Sequence, residues 1–209
     1  MRIRFGAAVV AVSLLAGAHA GAAAEAYSGA GFTGMAWFGT EGKADQQLGT
    51  MQVGKKGVRL DMVQQGQKMS MLTLWGQAMA YSMMHDQKMY MELPVEQAGM
   101  TSADKTGKPC GDHKTAEELG AESVNGRDTV KYRCTGQIDV PKGKKPSDAT
   151  EWYDSEIGMP IKTVSDAGDV FEVRDIAVGQ PDASLFKLPA GYKKFDMNAM
   201  MQQMQQNPQ

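Results

Sequence analysis

The stretch from residue 69 to residue 93 carries the clearest pattern of apolar and polar positions in the chain. It reads MSMLTLWGQAMAYSMMHDQKMYMEL and contains three short runs, at 69–75, 78–84 and 88–93, separated by Gly76-Gln77 and His85-Asp86-Gln87. Successive residues of a strand point to opposite sides of the sheet. Sorted by this alternation, one side is bulky and rich in sulfur and consists of Met69, Met71, Trp75, Met79, Tyr81, Met83, Met89, Met91 and Leu93. The pattern predicts an antiparallel meander with one methionine-lined face.

The rest of the chain shows the same succession of short apolar runs and turns. Further runs are found at 31–38, 47–53, 58–63, 122–124, 129–134, 151–154, 161–165 and 170–178. We therefore predict a mainly β fold with one antiparallel sheet of about eleven strands. Thr115 followed by Glu118 has the form of a helix capping box and predicts one helical turn over 116–119. The polar stretch after Pro94 predicts a loop that lies over one rim of the sheet.

The end of the chain carries a second methionine pattern with a different period. Met197, Met200, Met201 and Met204 are spaced as i, i+3, i+4 and i+7, and Asp196 precedes them as an N-cap residue. This spacing predicts a helix within the Met- and Gln-rich tail, residues 196–209. A helix of this length is marginal in water, so it either frays or lies on an apolar surface. That surface is the methionine-lined face, which the helix would plug, or a groove of an envelope protein partner.

The first twenty residues have the features of a cleaved export signal. Arg2 and Arg4 precede an apolar run at 5–15, and Ala18-His19-Ala20 is a small-x-small cleavage site. Leu15-Ala16-Gly17 is followed by Ala18 and not by the cysteine that a lipoprotein signal would need. We therefore expect an exported periplasmic protein that is not lipidated and has no membrane segment after cleavage. The remaining chain is predicted to be a flexible N-terminus at 21–30 and a single β domain at 31–195.

Charge and cysteine content narrow the chemistry. The chain has 22 basic and 24 acidic residues and no basic stripe, which argues against a nucleic-acid partner. Cys110 and Cys134 are the two cysteines, and in an oxidising compartment they are expected to form a disulfide worth roughly 3 kcal/mol. The rival interpretation is a metal site in which Asp112 and His113 join the two cysteines.

Short segments spread over most of the predicted domain follow the order of motifs in one superfamily of exported proteins. They read GVRLD at 57–61, KMYMEL at 88–93, ESVNG at 122–126 with KY at 131–132, WYD at 152–154, GMPIK at 158–162 and LFKLPAGY at 185–192. In this order they resemble the periplasmic lipoprotein carriers of the LolA, LolB and RseB type, and more closely an uncharacterised bacterial family related to them.

The resemblance implies a strongly curved, unclosed half-barrel whose concave side holds lipid or acyl chains beneath short helices or loops that act as a lid. It also implies an arginine inside the cavity. Arg59 is the matching position, yet alternation places it opposite Val58, Leu60 and Met62. We therefore take the fold and an apolar ligand from the resemblance, and we do not extend lipoprotein trafficking to this chain.

The methionine-lined face has three interpretations, which the sequence leaves open. It is either ordinary core beneath a second layer, or a cavity for acyl chains, which flexible methionine side chains suit, or a Cu(I) site, since thioethers are soft ligands. The favoured interpretation is a periplasmic binding protein for a lipid, acyl chain or other apolar molecule, without a cofactor. Its ligand-binding residues are Met69, Met71, Trp75, Met79, Tyr81, Met83, Met89 and Met91. The copper alternative uses Met69, Met71, Met83, Met84, His85, Met89 and Met91.

Catalysis has little support in the sequence. After removal of the signal only His85 and His113 remain as histidines, and neither stands in a recognisable nucleophile, acid/base or metal motif. We expect that the protein is not an enzyme.

Overall fold

The structure is a computed structural model that describes residues 27–95, 107–111, 113–137 and 147–195. These residues form strands and one short 3₁₀ helix at Ala183–Phe186. The strands are β1 Phe32–Gly39, β2 Gln46–Gly54, β3 Gly57–Gln64, β4 Gln67–Leu74, β5 Met79–Met84, β6 Met89–Pro94, β7 His113–Val124, β8 Arg127–Gln137, β9 Ala149–Asp154, β10 Met159–Ser165, β11 Val170–Val178 and β12 Lys193–Lys194.

All twelve strands belong to one sheet, in the order β12-β6-β5-β4-β3-β2-β1-β11-β10-β9-β8-β7. Neighbouring strands are antiparallel except for β12, which runs parallel to β6. The order leaves β12 and β7 as two separate edges, so the sheet does not close. The predicted mainly β, unclosed half-barrel is confirmed, with the two-residue β12 added to the eleven expected strands.

The predicted helical turn over 116–119 is wrong. Thr115 and Glu118 lie within β7, whose residues pair with β8 from His113 to Val124. This pairing gives the backbone hydrogen-bond partners on both sides of an irregularity between Glu118 and Gly120. A single helical turn, by contrast, carries a nucleation cost and forms few hydrogen bonds. The sequence of β7 shows no alternation of apolar and polar residues, because β7 is an edge strand whose residues are mostly exposed and polar. The Asn125-Gly126 turn between β7 and β8 has positive φ at both residues, as a two-residue type I′ hairpin requires.

The tip of the β7–β8 hairpin is held against β11 by a buried carboxylate. Glu172 accepts hydrogen bonds from Asn125 Nδ2 at 2.7 Å and from Arg174 Nε at 3.1 Å. Burial of Glu172 opposes its ionisation, but the bonds from Arg174 and Asn125 outweigh burial and lower the pKa of the carboxyl group. The charged form of Glu172 therefore stabilises the folded hairpin.

The buried side chains form two clusters. The larger cluster contains Tyr27, Phe32, Val53, Val58, Val124, Trp152, Ile157, Met159, Ile161 and Val173. The smaller cluster contains Leu72, Met83 and Phe186 and therefore joins the β3–β6 region of the sheet to the segment around the 3₁₀ helix. The two clusters lie against different parts of the sheet. In the smaller cluster, Phe186 covers one face of the β3–β6 region.

Residues 27–30, which the sequence assigned to a flexible segment, are packed against the domain. Tyr27 is buried, its hydroxyl donates to the Ile157 carbonyl at 2.5 Å, and Ala30 N–H donates to the Glu156 carbonyl at 3.2 Å. Burial raises the pKa of Tyr27 to about 12. Residues 27–30 are therefore held against the turn that precedes β10.

The predicted disulfide is confirmed. Cys110 and Cys134 are both buried and bonded, with their Cα atoms 5.3 Å apart. The metal interpretation that used these cysteines is wrong, because both sulfur atoms are engaged in the disulfide. The remaining ligand of that set within the described residues, His113, contacts the Ser147 carbonyl through Nε2 at 3.2 Å.

Several predicted segments lie outside the described residues. These are the export signal at 1–20, Asp112, most of the loop after Pro94 and the tail at 196–209. Within the part of the chain that the structure describes, no helix has the length and apolar character needed to cross a membrane.

Candidate functional site

Strand pairing divides the predicted sulfur-rich side between two faces of the sheet. Residues directly opposite each other on antiparallel strands project to the same face. Met69 of β4 pairs with Met84 of β5, whereas Met83 pairs with Ser70. The interpretation that all of the named methionines share one face is therefore wrong. Met69, Met71, Met89 and Met91 lie on one face, and Met79, Tyr81 and Met83 lie on the other.

The error lies in counting alternation through the hairpins. In both the β4–β5 and the β5–β6 hairpins an odd-numbered residue pairs with an even-numbered one, as in Met69 with Met84 and Met84 with Met89. Odd-numbered residues of β4 and β6 therefore share a face with even-numbered residues of β5. The assignment is thus correct for β4 and β6 and inverted for β5.

The face that carries Met69, here called the methionine face, is a regular array of three rows across β2 to β6. The first row is Gly49, Met62, Met69, Met84 and Met89; the second is Met51, Leu60, Met71, Ser82 and Met91; the third is Val53, Val58, Thr73, Ala80 and Leu93. At ordinary strand and residue spacings the array measures roughly 19 Å across the strands and about 14 Å along them. It contains more sulfur than the predicted set, because Met51, Met62 and Met84 join it.

Burial changes along the methionine face. The methionine and leucine side chains of the first two rows are half-buried, whereas Val53, Val58, Thr73 and Ala80 of the third row are buried. Trp75 closes the third-row end: its ring packs on Tyr27 at 5.9 Å, and its Nε1–H donates to the Gly54 carbonyl at 2.8 Å. The methionine end of the face is therefore its accessible end.

One polar atom in the third row has no partner. Thr73 is buried, and its Oγ1 forms no hydrogen bond with any residue that the structure describes. A buried hydroxyl without a partner costs free energy, so such a group is a candidate contact for a polar atom of a ligand.

The opposite face of β3–β6, here called the arginine face, is covered by the segment 183–195. Leu72 and Met83 are fully buried against Phe186, and Leu185, Leu188 and Tyr192 pack around them. Met83 and Tyr81, which the sequence placed in a binding cavity, thus belong to or pack against this small core. Plain core is the correct interpretation for that part of the predicted set.

Polar side chains on the arginine face form a network around Arg59. The Arg59 guanidinium donates to Asp61 at 2.7 Å, to Ser70 Oγ at 2.9 Å and to the Leu185 carbonyl at 3.1 Å. Gln52 Nε2 donates to the second carboxylate oxygen of Asp61 at 3.1 Å. Arg59 therefore connects the covering segment to β3. It does not line the methionine face, which confirms the position that strand alternation predicted for it.

His85 continues this network to the end of the covering segment. Its Nε2 lies 2.5 Å from Ser70 Oγ and its Nδ1 lies 2.6 Å from the Tyr192 hydroxyl. Sequence reasoning missed this role, because the contact of Ser70 with His85 follows from the β4–β5 register and Tyr192 is distant in sequence.

The Ser70–His85 contact does not have the arrangement of a hydrolase. Ser70 is fully buried, and Asp61 contacts Ser70 itself rather than the distal nitrogen of His85. In a catalytic triad the carboxylate orients the histidine, and the nucleophile is open to substrate. The network has a structural role and is here called the clasp, because Arg59 and His85 join the sheet to the covering segment 183–195.

The register also revises the copper alternative. Met83 and His85 lie on the arginine face, where Met83 is core and both His85 nitrogens are in contact. Met69, Met71, Met84, Met89 and Met91 remain together on the methionine face, and the structure adds Met62 to them.

A separate surface cleft of about 440 Å³ lies at the β2–β3 and β4–β5 turns, at the end of the strands that is far from the first row. Its lining residues are Lys55, Lys56, Leu74, Trp75, Gly76, Gln77 and Phe186. The two lysines belong to the exposed β2–β3 turn. Trp75 is the one predicted ligand-binding residue among the lining residues of this cleft.

Comparison with known proteins relates this chain to one family. The family described as "Domain of unknown function (DUF4412)" matches residues 31–142, which span β1 to β8 and so include the whole methionine face. Among curated proteins, none matches the sequence significantly.

The solved structures that resemble this chain have low sequence identity to it. An uncharacterised conserved protein from Thermus thermophilus is 8% identical, with a TM-score of 0.50, over 79% of this chain and 89% of its own. The MucA/MucB complex of Pseudomonas aeruginosa gives 13% identity and a TM-score of 0.37, and the match covers 77% of this chain but 56% of that one. The lipoprotein LppX of Mycobacterium tuberculosis gives 14% identity and a TM-score of 0.38, over 75% and 89% of the two chains. The likeness to the Thermus protein shows the fold, and the expected relation to an uncharacterised family is confirmed.

Proposed function

The chain belongs to the DUF4412 family, and from the geometry of its methionine face we propose that it is a binding protein for lipids with an acyl chain. The supporting observation is the asymmetry of the β3–β6 region. One face is closed by the segment 183–195, whereas the methionine face presents two rows of half-buried apolar side chains.

The methionine face is uncharged. The charged side chains of β2 to β6 are Arg59, Asp61, Lys68 and Glu92, and strand pairing places all four on the arginine face. A charged or strongly polar ligand would lose its hydration on the methionine face without finding a partner. An acyl chain would gain from the same transfer, by about 0.8 kcal/mol for each methylene group that is fully buried.

Plain core is the main competing interpretation of this face. Within the described residues, Met62, Met69, Met71, Met84, Met89 and Met91 belong to neither buried cluster and are not among the side chains packed against one. Methionine side chains adapt to irregular shapes, so the array would accept chains of different length and branching with little selectivity. We therefore assign the acyl chain to the first two rows, with Thr73 available to a polar atom of the ligand.

The tail extends from a position that suits a plug. Phe195 N–H donates to the Tyr90 carbonyl of β6 at 2.7 Å, so residues after 195 begin beside the strand that carries Met89 and Met91. In the proposal the methionine-patterned tail competes with the ligand for the methionine face. Truncation after Phe195 should then increase uptake of a fluorescent fatty acid. If the tail instead docks on an envelope protein, truncation abolishes partner capture and leaves uptake unchanged.

We further propose that the protein acts in the periplasm. The buried Cys110–Cys134 disulfide suits an oxidising compartment, and the sequence of residues 1–20 suits export. Cell fractionation with detection of the mature chain in the periplasmic fraction tests this placement.

The ligand proposal is tested by native purification from the periplasm, lipid extraction with mass spectrometry, and titration with a fluorescent fatty acid. Leu60→Lys and Met71→Lys place a charge in the second row and should abolish uptake. Val63→Lys is the matched control, because Val63 is 68% exposed on β3 and points to the opposite face. Circular dichroism and thermal unfolding establish that each variant is folded. A preparation without lipid that also takes up no fatty acid would refute the proposal, as would normal uptake by Leu60→Lys and Met71→Lys.

A further inference from the structure

The first row of the methionine face places four thioethers on four consecutive strands. Met62 of β3 pairs with Met69 of β4, Met69 pairs with Met84 of β5, and Met84 pairs with Met89 of β6. Directly paired residues have Cβ atoms roughly 5 Å apart. The methionine side chain is unbranched and rotates about three bonds, so the sulfur atoms of neighbouring residues are able to converge on one point.

The second row lacks this continuity. Met71 and Met91 are separated by Ser82, and Leu60 stands on the other side of Met71. No two methionines of β3 to β6 are adjacent in that row, so it offers isolated sulfur atoms. The two rows share the same apolar surroundings and differ in the adjacency of their thioethers.

The two cysteines and His85, which are stronger ligands for many metals than thioethers, are engaged elsewhere. Cys110 and Cys134 form a disulfide, and His85 lies on the arginine face between Ser70 and Tyr192. Hard cations such as Mg²⁺ and Ca²⁺ require oxygen ligands, which the first row does not offer. Neutral thioethers select Cu(I), and an uncharged face penalises a monovalent ion less than a divalent one.

We propose that Met62, Met69, Met84 and Met89 form a Cu(I)-binding site at the accessible end of the methionine face. The four strands span about 14 Å, which is too wide for all four sulfur atoms to reach one ion. Three adjacent thioethers therefore bind at a time, as Met62-Met69-Met84 or as Met69-Met84-Met89. Met69 and Met84 belong to both sets, whereas Met62 and Met89 substitute for each other.

This arrangement predicts unequal effects of substitutions that remove sulfur and keep apolar volume. Met69→Leu with Met84→Leu should weaken Cu(I) binding by about 100-fold or more, since loss of outer-shell partners alone costs 10- to 100-fold. Met62→Leu or Met89→Leu alone should cost less than about tenfold, because one complete set of three remains. Met71→Leu with Met91→Leu is the matched control from the second row and should leave the affinity unchanged.

The experiment is an anaerobic competition titration of the mature chain with Cu(I) against a chromogenic Cu(I) chelator. Silver(I), a closed-shell analogue, is added to protein with ¹³C-labelled methionine methyl groups to identify the liganded residues by NMR. A chain truncated after Phe195 removes the tail methionines. The expected result is one equivalent of Cu(I), retained by the truncated chain and lost in the Met69/Met84 double variant.

Three results would overturn the site: unchanged affinity in the Met69/Met84 variant, an equal loss in the Met71/Met91 control, or loss of binding upon truncation alone. Fatty-acid uptake by the Met69/Met84 variant separates this proposal from the acyl-chain proposal. Leucine preserves apolar volume, so uptake should persist when copper binding is lost. Failure of copper binding in a wild-type chain that takes up fatty acid would refute the metal site alone.

Discussion

The assignment of one closed and one accessible face to β3–β6 can be tested by shortening one leucine on each. Leu72 lies on the arginine face and is fully buried against Met83 and Phe186. Leu60 lies on the methionine face, is half-buried and pairs with Met71. The two residues stand on adjacent, directly paired strands. Leu72→Ala and Leu60→Ala therefore make the same chemical change in nearly the same part of the sheet.

The expected free-energy changes differ because of burial. Leu72→Ala removes apolar contacts and leaves a cavity beneath the covering segment, which should lower the free energy of unfolding by about 3 kcal/mol. Leu60→Ala deletes a side chain that is already partly hydrated and leaves no closed cavity, so the expected loss is about 1 kcal/mol. The difference of roughly 2 kcal/mol is well outside the error of equilibrium unfolding.

Urea unfolding of the disulfide-intact mature chain, followed by tryptophan fluorescence and circular dichroism, measures both losses. With a slope of about 2 kcal/mol per molar urea, Leu72→Ala should move the midpoint by roughly 1.5 M and Leu60→Ala by about 0.5 M. Equal shifts would refute the reasoning, because they would show that other parts of the chain bury the methionine face as deeply as segment 183–195 buries the arginine face. The methionine face would then have no accessible surface for an acyl chain.

Three further predictions concern the contacts that hold the domain together. Tyr192→Phe removes the hydroxyl beside His85 and should cost about 1 kcal/mol in urea unfolding without changing fatty-acid uptake; an unchanged midpoint would show that the clasp is absent in solution. Because the folded-state pKa of Glu172 is lowered, its contribution to stability is present above the ordinary glutamate pKa and is lost as pH falls through the folded-state value. Melting temperatures between pH 6 and 3 should fall less steeply for Glu172→Gln, and identical slopes would contradict this. Replacing Cys110 and Cys134 together by alanine should lower the free energy of unfolding by roughly 2–4 kcal/mol, and a midpoint equal to that of the wild-type chain would contradict a structural role for the disulfide.

Much of the architecture was predictable from local patterns. Alternation within each strand and turn residues at regular intervals led to the antiparallel sheet, and two cysteines in a chain with a predicted export signal led to the Cys110–Cys134 disulfide. Within single strands the pattern also separated Arg59 from Val58, Leu60 and Met62 correctly. These properties depend on backbone geometry that repeats every two residues, so a short window of sequence contains them.

The candidate site depended on information that no short window contains. The face of Met84 relative to Met69 is set by the pairing register across a hairpin, and a change of one residue in that register moves a whole strand's side chains to the other face. Residues 113–124 form a strand because they pair with β8. The local sequence at Thr115 had instead indicated the start of a helix. Closure of the arginine face required Phe186 and Tyr192, more than a hundred residues from Leu72 and His85, because burial arises where distant segments meet.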